Sequence, residues 1–79
     1  MRLDKYLKVS RIIKRRTVAS DACEQGKVMV NGKIAKPSTP VKEGDIIEVT
    51  FGERTLKAEV LTIADHVLKA DAQSMYKPL

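Results

Sequence analysis

The basic segment from Arg2 to Arg16 has the side-chain types that bind anions. It contains seven Lys or Arg residues and one acid, Asp4. A guanidinium can donate two hydrogen bonds to one phosphate, and a Lys ammonium acts on it as a point charge. A basic run of this kind also occurs simply as the solvated face of a helix. Between these two interpretations, the density of cations favours a polyanionic partner.

Two of these cations, Arg15 and Arg16, directly precede a predicted helix start. Thr17 is a suitable N-cap for a helix that continues to Gln25, and Gly26 then provides the left-handed residue that commonly ends a helix. The start of a helix carries partial positive charge, so cations there are unfavourable unless an anion such as phosphate also binds. The position of Arg15 and Arg16 therefore strengthens the prediction of phosphate binding.

Apolar spacing predicts two helices that pack as a pair. Residues three and four apart lie on one face of a helix, which leaves the charged side chains of the first helix in solvent. The predicted packing face of the first helix consists of Leu3, Tyr6 and Leu7. The second helix packs through small residues, which permit close approach of a neighbouring element. These residues are Val18, Ala19, Ala22 and Cys23.

The apolar period changes to two after residue 27, which predicts strands in place of helices. Residues 28–30 and 33–35 flank Asn31-Gly32, a dipeptide that strongly favours a two-residue type I′ turn. Both residues of such a turn need positive φ, which Asn and Gly adopt more readily than other residues. A β-hairpin is therefore predicted, and a structural role for Asn31 is favoured over a role in binding.

Pro37 and Pro40 predict a loop after the hairpin, because proline cannot contribute an N–H to a sheet ladder. Two further strands, at residues 46–51 and 56–60, are predicted on either side of a turn at Gly52. The residues expected in the core are Leu3, Leu7, Ile12, Val28, Val30, Ile46 and Val49. The predicted fold class is α+β, with two packed N-terminal helices on a small, mostly antiparallel sheet.

The length of 79 residues corresponds to one small domain, assigned to residues 1–63, with a C-terminal tail at residues 64–79. The tail lacks clear periodicity and fits either a short helix or a segment docked on the domain. Charge is segregated along the chain. Residues 1–36 hold ten Lys or Arg against three acids, a balance of +7, whereas residues 37–79 hold five against seven, a balance of −2. Binding of a polyanion is thus assigned to the first half.

The sequence contains no pattern typical of a catalytic or metal centre. Cys23 is the single cysteine and is expected in the core, because a reactive thiol needs a basic partner. His66, the single histidine, lies in a weakly patterned stretch and is expected at the surface. No enzymatic activity, metal or cofactor is therefore predicted. No apolar run approaches the roughly 20 residues that span a bilayer, and a cytoplasmic location is expected.

Several segments, in a fixed order, resemble the RNA-binding domain family named after ribosomal protein S4. They are RLDKYLKVSRIIKRRT at residues 2–17, GKVMVNG at residues 26–32, KPS at residues 36–38 and, after Val41, GDI at residues 44–46. The ordered set extends from Arg2 to about Val49 and is more specific than a single short motif. The resemblance implies two helices on a bent small sheet. It also implies that RNA backbone is bound by basic residues of the helices and of the loop before the second helix.

The resemblance assigns candidate RNA-binding residues in this sequence. They are Arg2, Lys5, Arg11, Lys14, Arg15, Arg16, Lys27, Asn31 and Lys36. We rank Arg2, Arg15 and Arg16 first, because a guanidinium binds phosphate bidentately. For Lys27 and Lys36, a solvated side chain without an RNA contact is an equally good interpretation.

The length and the opening segment resemble small stand-alone bacterial members of this family that act in ribosome-associated quality control. The resemblance implies binding to obstructed large ribosomal subunits through rRNA and peptidyl-tRNA. It further implies that a partner, which brings alanyl-tRNA, extends the stalled chain without a template. A related heat-shock group also binds such subunits but has a longer basic C-terminal extension, which this sequence lacks. A monomer is expected in either case.

Two other classes of function would use the same basic segment. A membrane-surface adaptor needs a broad exposed apolar face, but Leu3, Tyr6 and Leu7 are required by the core, so no membrane partner is predicted. A regulatory subunit of a translation enzyme would keep RNA binding and use the acidic second half of the chain as a protein interface. This last alternative stays open from the sequence.

Overall fold

Two short helices and a five-stranded sheet form the computed structural model, which describes the backbone of residues 1–79 and the side chains of residues 1–68 and 71–79. All four strand pairings are antiparallel, in the order β2-β1-β3-β4-β5. The predicted α+β class is confirmed. The elements in chain order are α1 Leu3–Val9, α2 Arg16–Glu24, β1 Val28–Val30, β2 Lys33–Ile34, β3 Ile46–Phe51, β4 Arg54–Val60, a 3-10 helix Lys69–Met75 and β5 Tyr76–Pro78.

The hairpin between β1 and β2 is confirmed, and Asn31 fastens it to the next strand. Asn31 and Gly32 have φ of 53° and 82°, the positive values that a type I′ turn requires. The Asn31 amide donates to Asp45 Oδ1 at 3.1 Å, and its Oδ1 accepts from the N–H of Ile46 at 2.9 Å. Both ends of the Asn31 side chain are therefore used within the fold.

The core lies between the helices and one face of the sheet, and the tail contributes to it. Ile47 and Val49 point inward, so Ile46, one residue out of phase, is only partly buried and its predicted core position is wrong. Ile12 and Val30 pack at the edge of the core. Val18 is exposed, because the inward face of α2 consists of Ala19 and Cys23. The largest fully buried side chains are Tyr6, Leu3, Leu7, Ile47, Met75, Val28, Val49 and Val60.

The loop between β2 and β3 closes the start of α1. The N–H of Leu3 donates to the carbonyl of Thr39 at 2.8 Å, and the N–H of Asp4 donates to that of Pro37 at 3.1 Å. The N–H of Lys5 donates to Asp4 Oδ1 at 2.8 Å. The amides that a helix start usually leaves without partners are thus satisfied inside the chain. The predicted loop at the prolines therefore positions the first basic residues.

Helix α2 begins earlier than its predicted cap. Arg15 occupies the N-cap with extended φ and ψ of −120° and 133°, Arg16 is the first helical residue, and Thr17 lies inside the first turn. The prediction of Thr17 as N-cap is wrong. Arg16 forms an ion pair with Asp4 of α1, and no side chain caps the start of the helix. Gly26 has a φ of 75°, as predicted for the residue after a helix end.

The tail contains both a 3-10 helix and an edge strand, β5, which pairs with β4. The carbonyl of Met75 accepts hydrogen bonds from the Tyr6 hydroxyl at 2.8 Å and from the N–H groups of Leu61 and Thr62 at 2.8 and 3.2 Å. These contacts hold the tail against α1. Among the described residues, no helix combines the length and apolar character that crossing a membrane requires.

Candidate RNA interface

Asp4 brings together Arg2 and Arg16, two of the three candidate RNA-binding residues that we rank first. Arg2 Nε donates to Asp4 Oδ1 at 3.2 Å, and Arg2 Nη2 donates to Asp4 Oδ2 at 3.3 Å. Arg16 Nε lies 3.5 Å from Asp4 Oδ2. The carboxylate therefore joins the residue before α1 to the first residue of α2. Two guanidinium groups that are 14 positions apart in sequence meet at one point of the surface.

Burial differs sharply across this cluster of Arg2, Asp4 and Arg16. The Asp4 side chain is 5% exposed, whereas those of Arg2 and Arg16 are 53% and 47% exposed. A buried carboxylate needs charged or hydrogen-bonding partners, and the two Arg residues with the N–H of Lys5 supply them. Each guanidinium carries five N–H donors, so donors remain for a second acceptor. The cluster thus presents two oriented cations to solvent with a net charge of +1.

The start of α2 adds to the positive potential beside this cluster. The helix has no side chain that caps its N-terminus and no acid in its first turn. Lys14 and Arg15, in the segment that leads into α2, are exposed. Asp4 supplies part of the negative charge that Arg16 needs at a helix start, and a phosphate would supply more. Four cations therefore follow the surface around one helix end, namely Arg2, Lys14, Arg15 and Arg16.

Lys36 extends the basic surface of the preceding four cations along one flank of α2. It lines a groove of about 510 Å³ together with Arg2, and the floor of this groove includes Cys23 and Ile34. Lys36 is exposed, and its N–H donates to Thr39 Oγ1 at 2.9 Å. The structure thus places Lys36 next to Arg2, even though the two residues are distant in sequence.

Lys5 and Arg11 form a second group, on the side of α1 that faces the tail. Lys5 Nζ lies 3.2 Å from Asp65 Oδ1. Arg11 has a positive φ of 63° in the turn after α1 and lines a groove of about 220 Å³ with Asp65 and His66. An acid of the tail therefore partly neutralises this group. Lys5, Arg11 and Asp65 together carry a charge of +1, whereas the Asp4 group, which consists of Asp4, Arg2, Lys14, Arg15 and Arg16, carries +3.

Lys27 and Asn31 lie apart from both groups. Lys27 lines a third groove, on the opposite flank of α2 from Lys36. Asn31 is committed to the hairpin by its two hydrogen bonds. The fold thus divides the nine predicted residues into the Asp4 group with the adjacent Lys36, the tail-facing pair of Lys5 and Arg11, and these two separate positions.

Asp4 is the residue whose importance sequence reasoning missed. At 100° per residue, Asp4 lies about 60° from Leu7 on the helical wheel, at the border of the packing face. An acid at the border of the packing face, next to Arg2 in a basic segment, is the sequence signal that indicates a buried carboxylate paired with cations. Its partner Arg16 is in another helix, so the contact itself needs the tertiary structure.

Two buried groups that could titrate are held in their neutral forms. Burial, with the negative charge of Asp4 as a smaller cause, raises the pKa of the Cys23 thiol from 9.0 to about 11. Burial also raises the pKa of Tyr6, whose hydroxyl donates to Met75. A thiol of this kind is a poor nucleophile at neutral pH. The described residues contain no group of three or more His, Cys, Asp or Glu side chains that could hold a metal ion.

Comparison with known proteins gives concordant results. A model of the S4 domain matches residues 1–47. The RQC P-site tRNA stabilizing factor of Streptococcus pneumoniae is 53% identical over 77 residues, which cover 98% of this chain and 88% of that protein. The corresponding factor of Halalkalibacterium halodurans is 49% identical over 77 residues, with the same two shares.

A solved structure shares the whole fold. The trimeric structure of Heat Shock Protein 15 from Vibrio cholerae superimposes with a TM-score of 0.92 at 35% identity, covering 100% of this chain and 81% of that one. The matched family model covers the segment that carries Arg2, Asp4 and Arg16. The chain therefore belongs to the S4 domain family and, over nearly its whole length, is similar to the RQC P-site tRNA stabilizing factors.

Proposed function

We propose that this protein is an RNA-binding factor of ribosome quality control that stabilises a tRNA in the ribosomal P site. The observation that carries the proposal is the Asp4-linked pair of Arg2 and Arg16. Two guanidinium groups with fixed spacing can bind consecutive phosphates of a folded RNA at a low entropic cost. The names of the relatives supply the RNA: a P-site tRNA in ribosome quality control.

We further propose which molecules lie on each side of the protein. The large-subunit rRNA and the peptidyl-tRNA of an obstructed subunit would share the basic surface formed by the Asp4 group, Lys36, Lys5 and Arg11. The protein would act in the cytoplasm, as a monomer and without catalysis of its own. A partner that brings alanyl-tRNA would add residues to the stalled chain, while this protein holds the peptidyl-tRNA in place.

A second candidate function is supported by the likeness to Heat Shock Protein 15. In this alternative the protein binds obstructed large subunits and recycles them, and the stalled chain receives no tail. The two functions share the RNA-binding surface. They differ in the fate of the nascent chain, so tail length on stalled proteins discriminates between them.

The test is the substitution Arg16→Ala, with Lys77→Ala as a control that removes the same charge from the exposed edge strand β5. Arg16 is outside the apolar core, so the circular dichroism spectrum should be unchanged. Sedimentation with large subunits that carry peptidyl-tRNA should be lost with Arg16→Ala and retained with Lys77→Ala. Tails on stalled proteins should shorten or vanish only in the Arg16→Ala strain.

Two results would contradict this proposal in different ways. Normal sedimentation of the Arg16→Ala protein would show that the Asp4-linked pair is not the contact. Lost sedimentation together with normal tails would show that tailing does not depend on subunit binding by this protein, and would contradict the proposed tailing role.

A further inference from the structure

A third groove, on the flank of α2 away from Arg2, combines an exposed aromatic ring with cations. It has a volume of about 470 Å³, within the range of roughly 300 to 1,000 Å³ that is typical of ligand pockets. Phe51, Val18 and Ile13 supply its apolar wall, and Lys27 lies at its border. Phe51 and Val18 are both exposed, although large apolar side chains are normally buried.

Phe51 is the last residue of β3 and is exposed. Ile47, Val49 and Phe51 occupy every second position of β3, so their side chains share the face of the sheet that the helices cover. The first two are buried, whereas Phe51 is 46% exposed. Arg54 is the direct cross-strand partner of Phe51, so both side chains lie on the same face of the sheet. A ring and a guanidinium thus lie side by side at the hairpin tip.

The combination of an exposed aromatic ring with neighbouring cations favours a nucleic acid over an apolar peptide as the occupant of this groove. Ile13 is followed directly by Lys14 and Arg15, so the groove begins at the basic segment that leads into α2. Lys27 lines the groove, and Arg54 lies opposite Phe51 on β4. The acids in this region are Asp21, which lines the groove, and Glu53 at the hairpin turn. The lining itself contains one cation, Lys27, and one acid, Asp21, and Arg54, the cross-strand partner of Phe51, adds a cation beside the ring.

We propose that this groove is a subsite for one unpaired nucleotide of the bound RNA, with its base stacked on the ring of Phe51. The phosphates on either side of that nucleotide would contact Lys27 and Arg54. The inference rests on the proposed RNA binding and adds a nucleotide subsite to it. Stacking on an aromatic side chain is tolerant of base identity, since every base has a π-face. The subsite would thus select an unpaired base over a paired one.

The first test uses Phe51→Trp as a fluorescent reporter, because the chain contains no other Trp. Leu61→Trp is the matched control. Leu61 is 42% exposed against 46% for Phe51, and it directly follows β4, roughly 23 Å from Arg54 at about 3.3 Å per residue. The added probe is penta-adenylate. Emission of Phe51→Trp should be quenched and that of Leu61→Trp should not. No quenching at position 51, or equal quenching at both positions, would overturn the subsite.

The second test separates the aromatic ring from its apolar volume. Phe51→Leu keeps an apolar side chain without a ring, and Phe51→Tyr keeps the ring. The probes are two RNA hairpins that differ by one unpaired adenine. Phe51→Leu should weaken binding of the hairpin with the unpaired adenine by roughly 5- to 150-fold, the equivalent of about 1 to 3 kcal/mol of stacking. Phe51→Tyr should restore it, and binding of the fully paired hairpin should not change.

These outcomes distinguish the subsite from the proposed function. If Phe51→Leu binds both hairpins as the wild type does, the groove is not a nucleotide subsite, and an apolar segment of a partner protein becomes its better occupant. The Arg16→Ala sedimentation result is independent of position 51. Quenching of Phe51→Trp with normal sedimentation of Arg16→Ala would therefore contradict the proposed contact at Asp4 and leave the subsite supported.

Discussion

Asp4 Oδ2 lies 3.5 Å from Nε of Arg16, and this ion pair joins the first turn of α1 to the first turn of α2. The same carboxylate binds Arg2 through two hydrogen bonds. A single acid in a basic segment thus orients the cations and does not merely reduce their charge. A substitution at Asp4 can therefore disturb the orientation of the two Arg side chains while it raises the net positive charge of the surface.

The substitution Asp4→Asn separates the effect of cation orientation on RNA binding from the effect of net charge. The amide keeps an oxygen that can accept the Lys5 N–H but loses the charge that orients Arg2 and Arg16. We expect affinity for large subunits that carry peptidyl-tRNA to fall about fivefold, the equivalent of roughly 1 kcal/mol, although the protein becomes more positive. In a double-mutant cycle, Asp4→Asn should add little to the loss caused by Arg16→Ala. Tighter binding by Asp4→Asn would show that charge alone governs the interaction.

Salt dependence reports the number of phosphate contacts. If about five cations of the basic surface contact phosphates, the logarithm of affinity should fall against the logarithm of salt concentration with a slope of roughly −3 to −5. A filter-binding titration at several KCl concentrations measures this slope. Arg2→Ala should remove one contact and make the slope less steep by about 1. Lys77→Ala should leave the slope unchanged. A slope near zero would be incompatible with binding through phosphates.

Asn31 should stabilise the fold and have little direct effect on RNA binding. Asn31→Ala removes both side-chain hydrogen bonds and places a Cβ residue without them at a φ of 53°. We expect a loss of about 1 to 3 kcal/mol, or several degrees in Tm, in thermal melts. Asn31→Gly is the control, since it relieves the backbone strain but still loses the side-chain bonds. Weaker RNA binding with an unchanged Tm would instead assign Asn31 to the interface.

Cys23 should make stability fall at alkaline pH. Its folded-state pKa is raised from 9.0 to about 11, so folding favours the neutral thiol. The stabilisation is complete below pH 9 and is lost as the pH rises through about 11, because the unfolded chain then ionises first. Urea melts of the wild type and Cys23→Ala, compared from pH 7 to 11, isolate this effect from other groups. Parallel stability curves for the two proteins would contradict it.

Local pattern predicted the parts of this structure that are determined locally. The β1–β2 hairpin follows from Asn31-Gly32, and α1 follows from the spacing of its apolar residues. Thr17 was placed wrongly because capping rules look for a side chain that accepts from the first helical amides, whereas Arg15 occupies the N-cap of α2 without such a bond. The inward phase of β3 depends on which residue meets the helices, so Ile46 and Ile47 could not be distinguished from an apolar run alone. Asp4 itself gains its importance only when Arg2 and Arg16 are adjacent in space.

The hydrogen bond from Tyr6 to Met75 closes a loop of the chain that spans 69 positions. The S4 family model ends at residue 47, inside β3, whereas Val60 and Met75 fill the same core as Leu3. Residues 1–47, excised and fused to another protein, would expose apolar surface and lose the partner of Tyr6. The portable unit for such a graft is therefore larger than the matched segment. It extends through β5, and its folding includes closure of the loop between α1 and the tail, which costs more chain entropy than a local contact does.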